Sequence, residues 1–252
     1  MPKFHSMESI CIIVPIYNEE EAIPKFPQEF SEYFELTKLN PSVLLVDDGS
    51  RDRSLELIEK LCLEDSRFHF LSLEKNSGLS SAIKAGFDCA RTDWVGYIDA
   101  DLQTKPKDLL KFESYLNEFD LVLGDRSASR KDSLVKKLSS KVANSFRDFM
   151  LHDGVNDSGC PLKILRRDVA ISLPFFKGMH RFIPALVLMK GGKIKQVPVT
   201  HFPRVTGKSK FNLWNRLLTP LQDTFAVWWM AKRKISYKIA SSDLYEREDQ
   251  QS

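Results

Sequence analysis

The sequence of 252 residues has few cysteines, and none of them is spaced for a metal or redox motif. Its four cysteines stand far apart, which argues against a zinc ribbon and gives no sign of a disulfide framework. We therefore expect reduced thiols, as in cytosolic proteins. The N-terminus also lacks a charged region followed by an apolar run, so no signal peptide is predicted.

Long apolar runs are missing as well. The most apolar window near the C-terminus, residues 217–231, is interrupted by Pro220, Gln222 and Asp223. It falls short of the roughly 20 residues that a transmembrane helix needs. We therefore expect no membrane-spanning helix.

Two common glycine-rich nucleotide motifs are absent. Gly207-Lys208-Ser209 ends like a P-loop, but Phe202 stands where the first glycine of that motif is required. No GxGxxG run follows the first apolar segment, where a dinucleotide-binding fold carries it. The sequence thus gives no support to a P-loop ATPase or to a hydride-transferring dehydrogenase.

What is present is an uneven distribution of charge. The whole chain has a net charge of +3, whereas residues 204–238 alone sum to +7 and the last 14 residues to −3. Three of the four tryptophans also lie within residues 204–238. A segment that is both basic and aromatic favours contact with an anionic surface.

The first 125 residues alternate short apolar runs with amphipathic helical patterns. This alternation predicts an α/β fold with a doubly wound, mostly parallel sheet, in which ligands bind at the carboxyl ends of the strands. A last strand, Ile194–Val199, contains Pro198 and is predicted at a sheet edge. The other predicted strands are Ile10–Ile16, Val43–Val46, Phe68–Leu73, Trp94–Ile98 and Leu121–Gly124.

Helices are predicted between and after these strands. One spans Leu79–Ala90 with its apolar residues on one face, and another starts near Ser50, a favourable N-cap residue. The apolar spacing from Leu134 to Phe149 predicts a long helix. A loop over His152–Cys160 and a further helical stretch through Leu186 follow.

Acidic residues gather where the predicted strands end. Such carboxylates repel the phosphates of a nucleotide unless a divalent cation lies between them. Asp99, Asp101 and Gln103 follow the fourth strand and offer oxygen ligands that suit Mg²⁺ or Mn²⁺. Taken alone, an Asp-x-Asp triplet is more often a turn or helix cap, and Asp47–Ser50 after the second strand is equally compatible with an ordinary turn.

Together the motifs resemble glycosyltransferase family 2, which uses nucleotide-sugar donors and has the fold called GT-A. The matching runs are Val14–Glu19, Val46–Ser50 with Asp52, Asn76-x-Gly78, and Asp99–Gln103. Other runs resemble one branch of the family, the polyprenyl-phosphate glycosyltransferases that include the dolichol-phosphate mannose synthases. Those runs are Gly124-x-Arg126, Asp157–Gly159 with Lys163, and Arg204-x-x-Gly207-x-Ser209-Lys210.

The resemblance implies roles for several of the matching residues. Asp99 and Ala100 would line the donor site. Asp101 and Gln103 would bind the metal at the donor's diphosphate, with Asp99 as a third candidate ligand. The base and ribose of the donor would be held by Pro15, Tyr17, Glu19, Val46 and Asp48.

A second group of residues would act on phosphate. Arg126, Arg204 and Lys210 would neutralise the phosphates of donor or acceptor. Other interpretations stay open, since Arg126 fits a surface arginine after an edge strand, and Asp157 fits a loop cap or a group that orients the acceptor or an arginine. The candidate catalytic residues are Asp101, Arg126, Asp157, Arg204 and Lys210.

The branch resemblance implies a metal-dependent, inverting transfer to a polyprenyl phosphate. A lipid monophosphate, with a second pKa of about 6 as in phosphoserine, is already a nucleophile near neutral pH and needs no general base. Accordingly, the Glu-Asp pair and Gln-x-x-Arg-Trp motif of the family's processive polysaccharide synthases are missing, and the segment reads Met179–Phe182. We expect His180 there to be structural rather than catalytic.

The donor and the acceptor stay open within limits. UDP-linked sugars are favoured and GDP-mannose remains possible. Transfer to a saccharide hydroxyl or a protein is the alternative reaction. A basic-aromatic module that binds nucleic acid is a third and weaker hypothesis, because no recognition motif accompanies the positive charge. The oligomeric state is not predicted.

The C-terminal segment predicts contact with a membrane at its cytoplasmic face. Lys232–Lys234 border an apolar helical stripe, and each cation near an anionic bilayer contributes about 1 kcal/mol. The stripe is predicted to be broken or kinked near Pro220, and a helix that packs on the core is the alternative. We predict a catalytic domain over residues 1–210, an amphipathic docking segment over 211–240 and an acidic, disordered tail over 241–252. The residues of the stripe are Leu213, Leu217, Leu221, Phe225, Trp228 and Trp229.

Overall fold

A computed structural model describes residues 8–128, 144–202, 213–235 and 240, with the backbone alone for 213–218. The predictions for Arg204, Ser209, Lys210 and the acidic tail fall outside these residues, as does most of the predicted long helix that starts at Leu134.

Seven strands form one sheet, in the order β3-β2-β1-β4-β6-β5-β7. Every neighbouring pair is parallel except β4–β6 and β5–β6, so the predicted mostly parallel sheet is confirmed. The last strand lies at an edge, as its proline predicts. The strands are β1 (Ser9–Ile16), β2 (Asn40–Asp47), β3 (Phe68–Ser72), β4 (Trp94–Tyr97), β5 (Leu121–Asp125), β6 (Lys163–Arg166) and β7 (Ile194–Pro198).

Helices cover both faces of the sheet. Because side chains alternate along a strand, Ile10 and Ile12 of β1 face one core while Cys11 and Ile13 face the other. Each fully buried isoleucine contributes about 1.5–3 kcal/mol of hydrophobic stabilisation. The first core includes α1 (Phe26–Leu36), α2 (Ser54–Glu64) and α4 (Leu110–Glu113). The second includes α3 (Leu79–Cys89), α6 (Arg167–Ser172), α7 (Ile183–Met189) and α8 (Leu213–Lys232).

The predicted helical stretch after Cys160 is wrong at its start. Lys163–Arg166 instead forms β6, which pairs antiparallel with both β4 and β5. Its first three residues are all buried, so the strand lacks the polar alternation that marks a half-exposed strand. This insertion places the preceding loop, residues 152–160, beside the ends of β4 and β5.

Two helical predictions need correction. Helix α2 begins at Ser54 rather than near Ser50, because Asp52 Oδ1 accepts a hydrogen bond from the Ser54 N–H at 2.9 Å. Residues 144–151 are helical (α5), which fits the end of the predicted long helix. The inward side chain is Arg147, however, whereas Phe149 is 74% exposed.

Helix α8 packs one face on the domain and leaves the other in solvent. Thr224 and Val227 are buried, whereas Phe225, Trp228 and Trp229 are exposed. The helix runs on through Pro220 for 20 residues, so it is not broken there, and a kink at the proline stays a prediction. No helix in the described ranges is long and apolar enough to cross a bilayer.

Candidate active site

The loops that follow β1 and β2 interlock. The Asn18 N–H donates to Ser50 Oγ at 3.0 Å, and the Glu19 N–H donates to Ser54 Oγ at 2.8 Å. In return the Arg51 N–H donates to the side-chain oxygen of Asn18 at 2.7 Å. Asn18 has a φ of 53°, a conformation that asparagine adopts more readily than most residues. These bonds bring the predicted donor-binding residues of the first two strands together.

The predicted donor-binding residues of β1 and β2 differ in how far their side chains are exposed. Pro15 and Val46 are register partners on β1 and β2, and both are buried. Tyr17 and Glu19 are half-buried at the loop that leaves β1. The structure therefore places all four at one edge of the sheet, with the two side chains of the loop accessible to a ligand.

Asp48 ties the end of β2 to the start of α3. Its carboxylate accepts hydrogen bonds from the backbone N–H groups of Ser77 and Gly78, at 2.7 and 2.8 Å, and from Asn76 Nδ2 at 3.0 Å. Burial raises the pKa of Asp48, against the lowering effect of the two backbone bonds. The neighbouring Gly49 has a φ of 67°, and a Cβ there would lie 2.6 Å from the Asn76 nitrogen. The Asn76-x-Gly78 motif is thus the partner of Asp48.

The acidic motif after β4 holds two carboxylates close together. Tyr97 Oη donates to Asp99 Oδ1 at 2.5 Å, and the Gln103 N–H donates to Asp101 Oδ1 at 3.1 Å. Burial and the negative charge of Asp101 raise the pKa of Asp99. Leu102, which lies between Asp101 and Gln103 in the sequence, is buried and has a φ of 55°. Such a conformation is strained for leucine, and strain of this kind clusters at functional sites.

These residues suit Mg²⁺ or Mn²⁺. Across the described ranges, no three His, Cys, Asp or Glu side chains form a metal-holding group. The ligands predicted from the sequence are the carboxylates of Asp99 and Asp101 and the amide oxygen of Gln103. Hard divalent cations bind oxygen ligands, and Mg²⁺ commonly takes one or two carboxylates together with substrate phosphates. The mutual repulsion of Asp99 and Asp101 is the electrostatic condition that a bound cation relieves.

Residues after β7 return to this acidic motif, which the sequence pattern does not reveal. The Phe202 N–H donates to the Gln103 carbonyl at 2.8 Å, and Gln103 Nε2 donates to the Phe202 carbonyl at 3.5 Å. Phe202 is the last described residue before the Arg204–Lys210 run. The run therefore follows directly on a contact with a predicted metal ligand.

Arg126 and Asp157 form a buried ion pair beside the acidic motif. Arg126 Nε and Nη2 donate to the two carboxylate oxygens of Asp157 at 2.7 and 3.1 Å. Burial opposes the charge of Arg126, but the hydrogen bonds and negative charge of Asp157 raise its pKa above the ordinary value. The interpretation of Arg126 as a surface arginine is wrong, because β5 lies between β6 and β7 and the residue is 9% exposed. Arg126 also feels the charge of Asp99, which connects the two parts of the site.

Lys163 is a further buried cation at this junction, and sequence analysis assigned it no role. Its ammonium donates to the carbonyls of Ser158 and Cys160 and lies 5.7 Å from the centre of the Tyr97 ring. Burial lowers the pKa of Lys163 to about 8. Since Tyr97 in turn donates to Asp99, the lysine supports both the loop and the acidic motif.

The environment of His180 supports its interpretation as structural. Its Nδ1 lies 3.0 Å from Ser80 Oγ, which also accepts from the Gly178 N–H at 3.1 Å. Burial and the nearby charges of Arg181 and Lys163 lower the pKa of His180 to about 3. The imidazole is therefore neutral at physiological pH.

Comparison with known proteins places this geometry in a family. The model of glycosyl transferase family 2 matches residues 11–173, more than half of the chain. The chain belongs to glycosyltransferase family 2. It is therefore a glycosyltransferase, as the motifs predict, and the family match covers the loops of β1, β2 and β4 together with Arg126 and Asp157.

A curated relative narrows the similarity within family 2. The chain is 31% identical over 228 residues to the undecaprenyl-phosphate 4-deoxy-4-formamido-L-arabinose transferase of Proteus mirabilis (strain HI4320). The match spans 88% of this chain and 70% of that protein. The predicted resemblance to polyprenyl-phosphate glycosyltransferases is thereby confirmed.

Solved structures confirm the GT-A fold. Glucosyl-3-phosphoglycerate synthase from Mycobacterium tuberculosis, in complex with phosphoglyceric acid, gives a TM-score of 0.65 at 18% identity over 94% of this chain and 85% of that one. Mannosyl-3-phosphoglycerate synthase from Rubrobacter xylanophilus gives 0.66 at 16% identity over 95% and 80%. The mycobacterial enzyme was also solved with Mn²⁺, UDP and glucosyl-3-phosphoglycerate, at a TM-score of 0.65 and 16% identity over 91% and 81%.

Proposed function

We propose that this glycosyltransferase moves a sugar from a nucleotide-sugar donor, with UDP favoured as the nucleotide, to the phosphate of a polyprenyl lipid. The observation that carries the proposal is the buried Arg126–Asp157 pair next to the acidic motif of Asp99 and Asp101. A metal-binding edge suits the diphosphate of a donor, and an adjacent fixed guanidinium suits a second phosphate. The Proteus relative, whose name specifies undecaprenyl phosphate, supports the same acceptor.

The donor would bind at the ends of β1, β2 and β4. Tyr17 and Glu19 lie on the half-buried loop that follows β1. Asp48 accepts a hydrogen bond from the Gly78 N–H at the start of α3. Asp101 and Gln103 would hold Mg²⁺ or Mn²⁺, and the bound cation would neutralise charge on the diphosphate. Support for Mn²⁺ comes from the similar mycobacterial fold solved with Mn²⁺ and UDP.

In the reaction an oxygen of the acceptor phosphate attacks C1 of the sugar, and the bond from C1 to the diphosphate oxygen breaks. The electron pair leaves with the nucleoside diphosphate, and a single displacement inverts the configuration at C1. Negative charge grows on the leaving phosphates, so cations fixed in advance stabilise the transition state more than the ground state. Arg204 and Lys210, which follow Phe202 in the sequence by two and eight positions, would supply such cations, and Arg126, held by Asp157, would lie at the acceptor phosphate.

The acceptor phosphate needs no general base. Its ionised oxygen is already the nucleophile near neutral pH. The histidine in the segment that replaces the processive synthases' motif is neutral and hydrogen-bonded to Ser80, so it remains structural in this mechanism. Arg126, paired with Asp157, would orient the phosphate instead.

The membrane-facing element would be α8. Its exposed aromatic residues are Phe225, Trp228 and Trp229, and Lys232 and Arg233 lie over the two tryptophan rings at 6.0 and 5.7 Å from the ring centres. Aromatic rings bordered by cations bind the interface of an anionic bilayer. We propose peripheral docking at the cytoplasmic face through residues 211–240, next to a catalytic domain over 1–210 and a disordered tail over 241–252.

Labelled donors test the reaction. UDP- and GDP-linked sugars are incubated with Mg²⁺ or Mn²⁺ and with polyprenyl phosphate in vesicles, the matching dephosphorylated polyprenol, or free saccharides. We expect label in the lipid fraction with the phosphate only. Label in the saccharide alone would overturn the lipid acceptor and establish the hydroxyl-transfer alternative.

A further inference from the structure

Arg147 on α5 is almost fully buried and uses its whole guanidinium. Its side chain forms an ion pair with Asp153, with Nε 2.9 Å from Oδ2, and the two side chains are 6% and 1% exposed. Nη1 donates to Asn144 Oδ1 at 2.7 Å and to Ser158 Oγ at 2.5 Å, and Nη2 donates to the Val155 carbonyl. Arginine presents several hydrogen-bond donors in one fixed plane, and lysine cannot reproduce this geometry.

Apart from Asn144 on α5 itself, the residues that Arg147 contacts belong to one loop, residues 153–158, and this loop carries Asp157. Other contacts hold the loop from different sides. Asn144 Nδ2 donates to the Asn156 carbonyl at 3.0 Å, and the Asn156 N–H donates to Gln196 Oε1 on β7 at 2.8 Å. Asn156 Nδ2 donates to Asp125 Oδ2 at the end of β5 at 3.0 Å. These hydrogen bonds fix the loop to α5, β5 and β7.

The position of this loop determines the direction of the Arg126 side chain. Asp157 contacts Arg126 through Nε, Nη2 and the backbone N–H, so a shift of the carboxylate moves the guanidinium with it. Ser158 is the next residue, and its hydroxyl is bonded to Arg147. A continuous path of bonded groups therefore runs from α5 to the proposed phosphate-binding arginine.

We propose that Arg147 is a positioning residue, which acts through Ser158 and Asp157 to aim Arg126 at a substrate phosphate. The inference rests on the proposed function of Arg126. It goes beyond that function because Arg147 lies on α5 and its guanidinium is bonded to Asp153, Val155, Ser158 and Asn144 rather than to Arg126 or Asp157. A structural role alone would lower stability without favouring one substrate over another.

The experiment compares four purified full-length variants: Arg126→Lys, Arg147→Lys, the milder Ser158→Ala, and the control Arg167→Lys. The control removes an arginine that donates to the Ala90 carbonyl at 2.6 Å, near the opposite ends of the strands. KM and kcat are measured for donor and polyprenyl phosphate, and thermal unfolding is recorded for each. We expect Arg147→Lys to raise the KM of the same substrate that Arg126→Lys affects, by about tenfold or more, because small misplacements of binding groups are costly. The KM of the other substrate should stay within about twofold.

Coupling is then measured in the double variant Arg126→Lys/Arg147→Lys. If Arg147 acts through Arg126, the double variant is no worse than the poorer single variant, whereas independent effects multiply. Independent multiplication, or kinetics of Arg147→Lys and Ser158→Ala that match the Arg167→Lys control, would overturn the inference alone. An Arg126→Lys enzyme with unchanged kinetics would overturn the proposed phosphate role of Arg126 and the inference with it. If Arg147→Lys does not fold, Ser158→Ala decides, since it keeps the Arg147–Asp153 ion pair.

Discussion

The two halves of the site are built with different interactions. On the donor side, at the ends of β1 and β2, short side chains accept hydrogen bonds from backbone N–H groups, as Ser50 does from Asn18 and Ser54 from Glu19. On the proposed acceptor side, at the end of β5 and the start of β6, buried ion pairs hold the loops, with Arg126–Asp157 as the central one. The loops on the donor side are therefore held mainly by hydrogen bonds from backbone N–H groups. The loops on the acceptor side are held mainly by ion pairs between buried side chains.

This difference has an energetic consequence. A single hydrogen bond contributes about 0.5–1.5 kcal/mol, and its loss disturbs one loop. Removing one partner of a buried ion pair costs about 3–5 kcal/mol, since the other charge stays buried without compensation. Chemical activity, stability and membrane affinity should thus respond differently to changes in each part of the molecule.

The largest effect is expected at the metal ligands. Asp101→Ala or Gln103→Ala should reduce transfer by about a thousandfold, because charge on the leaving diphosphate loses its stabilisation. Thermal unfolding should stay close to that of the unmodified protein, as both side chains are half-exposed. Asp88→Ala, which removes an exposed carboxylate on α3, is the matched control. Full activity in either site variant would contradict the metal assignment.

The next effect compares the stability of the two halves directly. Arg126→Ala should lower the free energy of unfolding by about 3–5 kcal/mol, because Asp157 is left buried and unpaired. Ser50→Ala on the donor side should cost about 1 kcal/mol. Urea unfolding monitored by circular dichroism measures both. Equal losses of unfolding free energy in the two variants would contradict the difference between loops held by backbone hydrogen bonds and loops held by ion pairs.

A third prediction concerns alkaline pH and the acceptor side alone. The folded pKa of Lys163, about 8, lies below its ordinary value of 10.5, so the unfolded chain binds more protons between these values. The contribution of Lys163 to the free energy of unfolding should therefore rise with pH across this window, by at most about 1.4 kcal/mol per pH unit. Unfolding of the unmodified protein and of Lys163→Met is compared from pH 7 to 10.5. The difference between them should change with pH, and parallel curves would show that Lys163 titrates normally.

The smallest effect is expected on α8. Trp228→Ala and Trp229→Ala should each weaken binding to anionic vesicles while leaving stability nearly unchanged, since both rings are exposed. Replacing Lys232 should cost about 1 kcal/mol of vesicle affinity and should lose its effect at high salt. Phe70→Ala, an exposed aromatic on the edge strand β3, is the control. Unchanged vesicle binding together with salt-sensitive RNA binding would favour a nucleic-acid module instead.

The donor side was largely predictable from the sequence because its residues follow their strands without interruption. Pro15–Glu19, Asp47–Ser50 and Asp99–Gln103 each lie at or just after the end of a buried strand, and a parallel sheet brings such ends together. What the sequence could not reveal is that Asp48 binds the backbone of residues 77 and 78, since that contact depends on the tertiary approach of α3.

The acceptor side was less predictable because long-range contacts build it. Arg126 and Asp157 were both candidates, but their pairing joins positions 31 residues apart and the role of Asp157 stayed open. Arg147 was missed because an arginine in an apolar helical pattern normally faces solvent. Strand β6 was missed because it is only four residues long and its first three residues are all buried, so it carries no period-two signal. The polar loop that follows α5 was the only local sign of this network.

The chemical identity of the products tests the central claim most directly. Mass spectrometry of a reaction with the preferred nucleotide sugar, a divalent cation and polyprenyl phosphate should show the lipid monophosphate enlarged by one sugar residue. One equivalent of nucleoside diphosphate should appear for each glycosylated lipid. A polyprenyl diphosphate product with release of nucleoside monophosphate would contradict the account, as would an unmodified lipid beside a glycosylated saccharide.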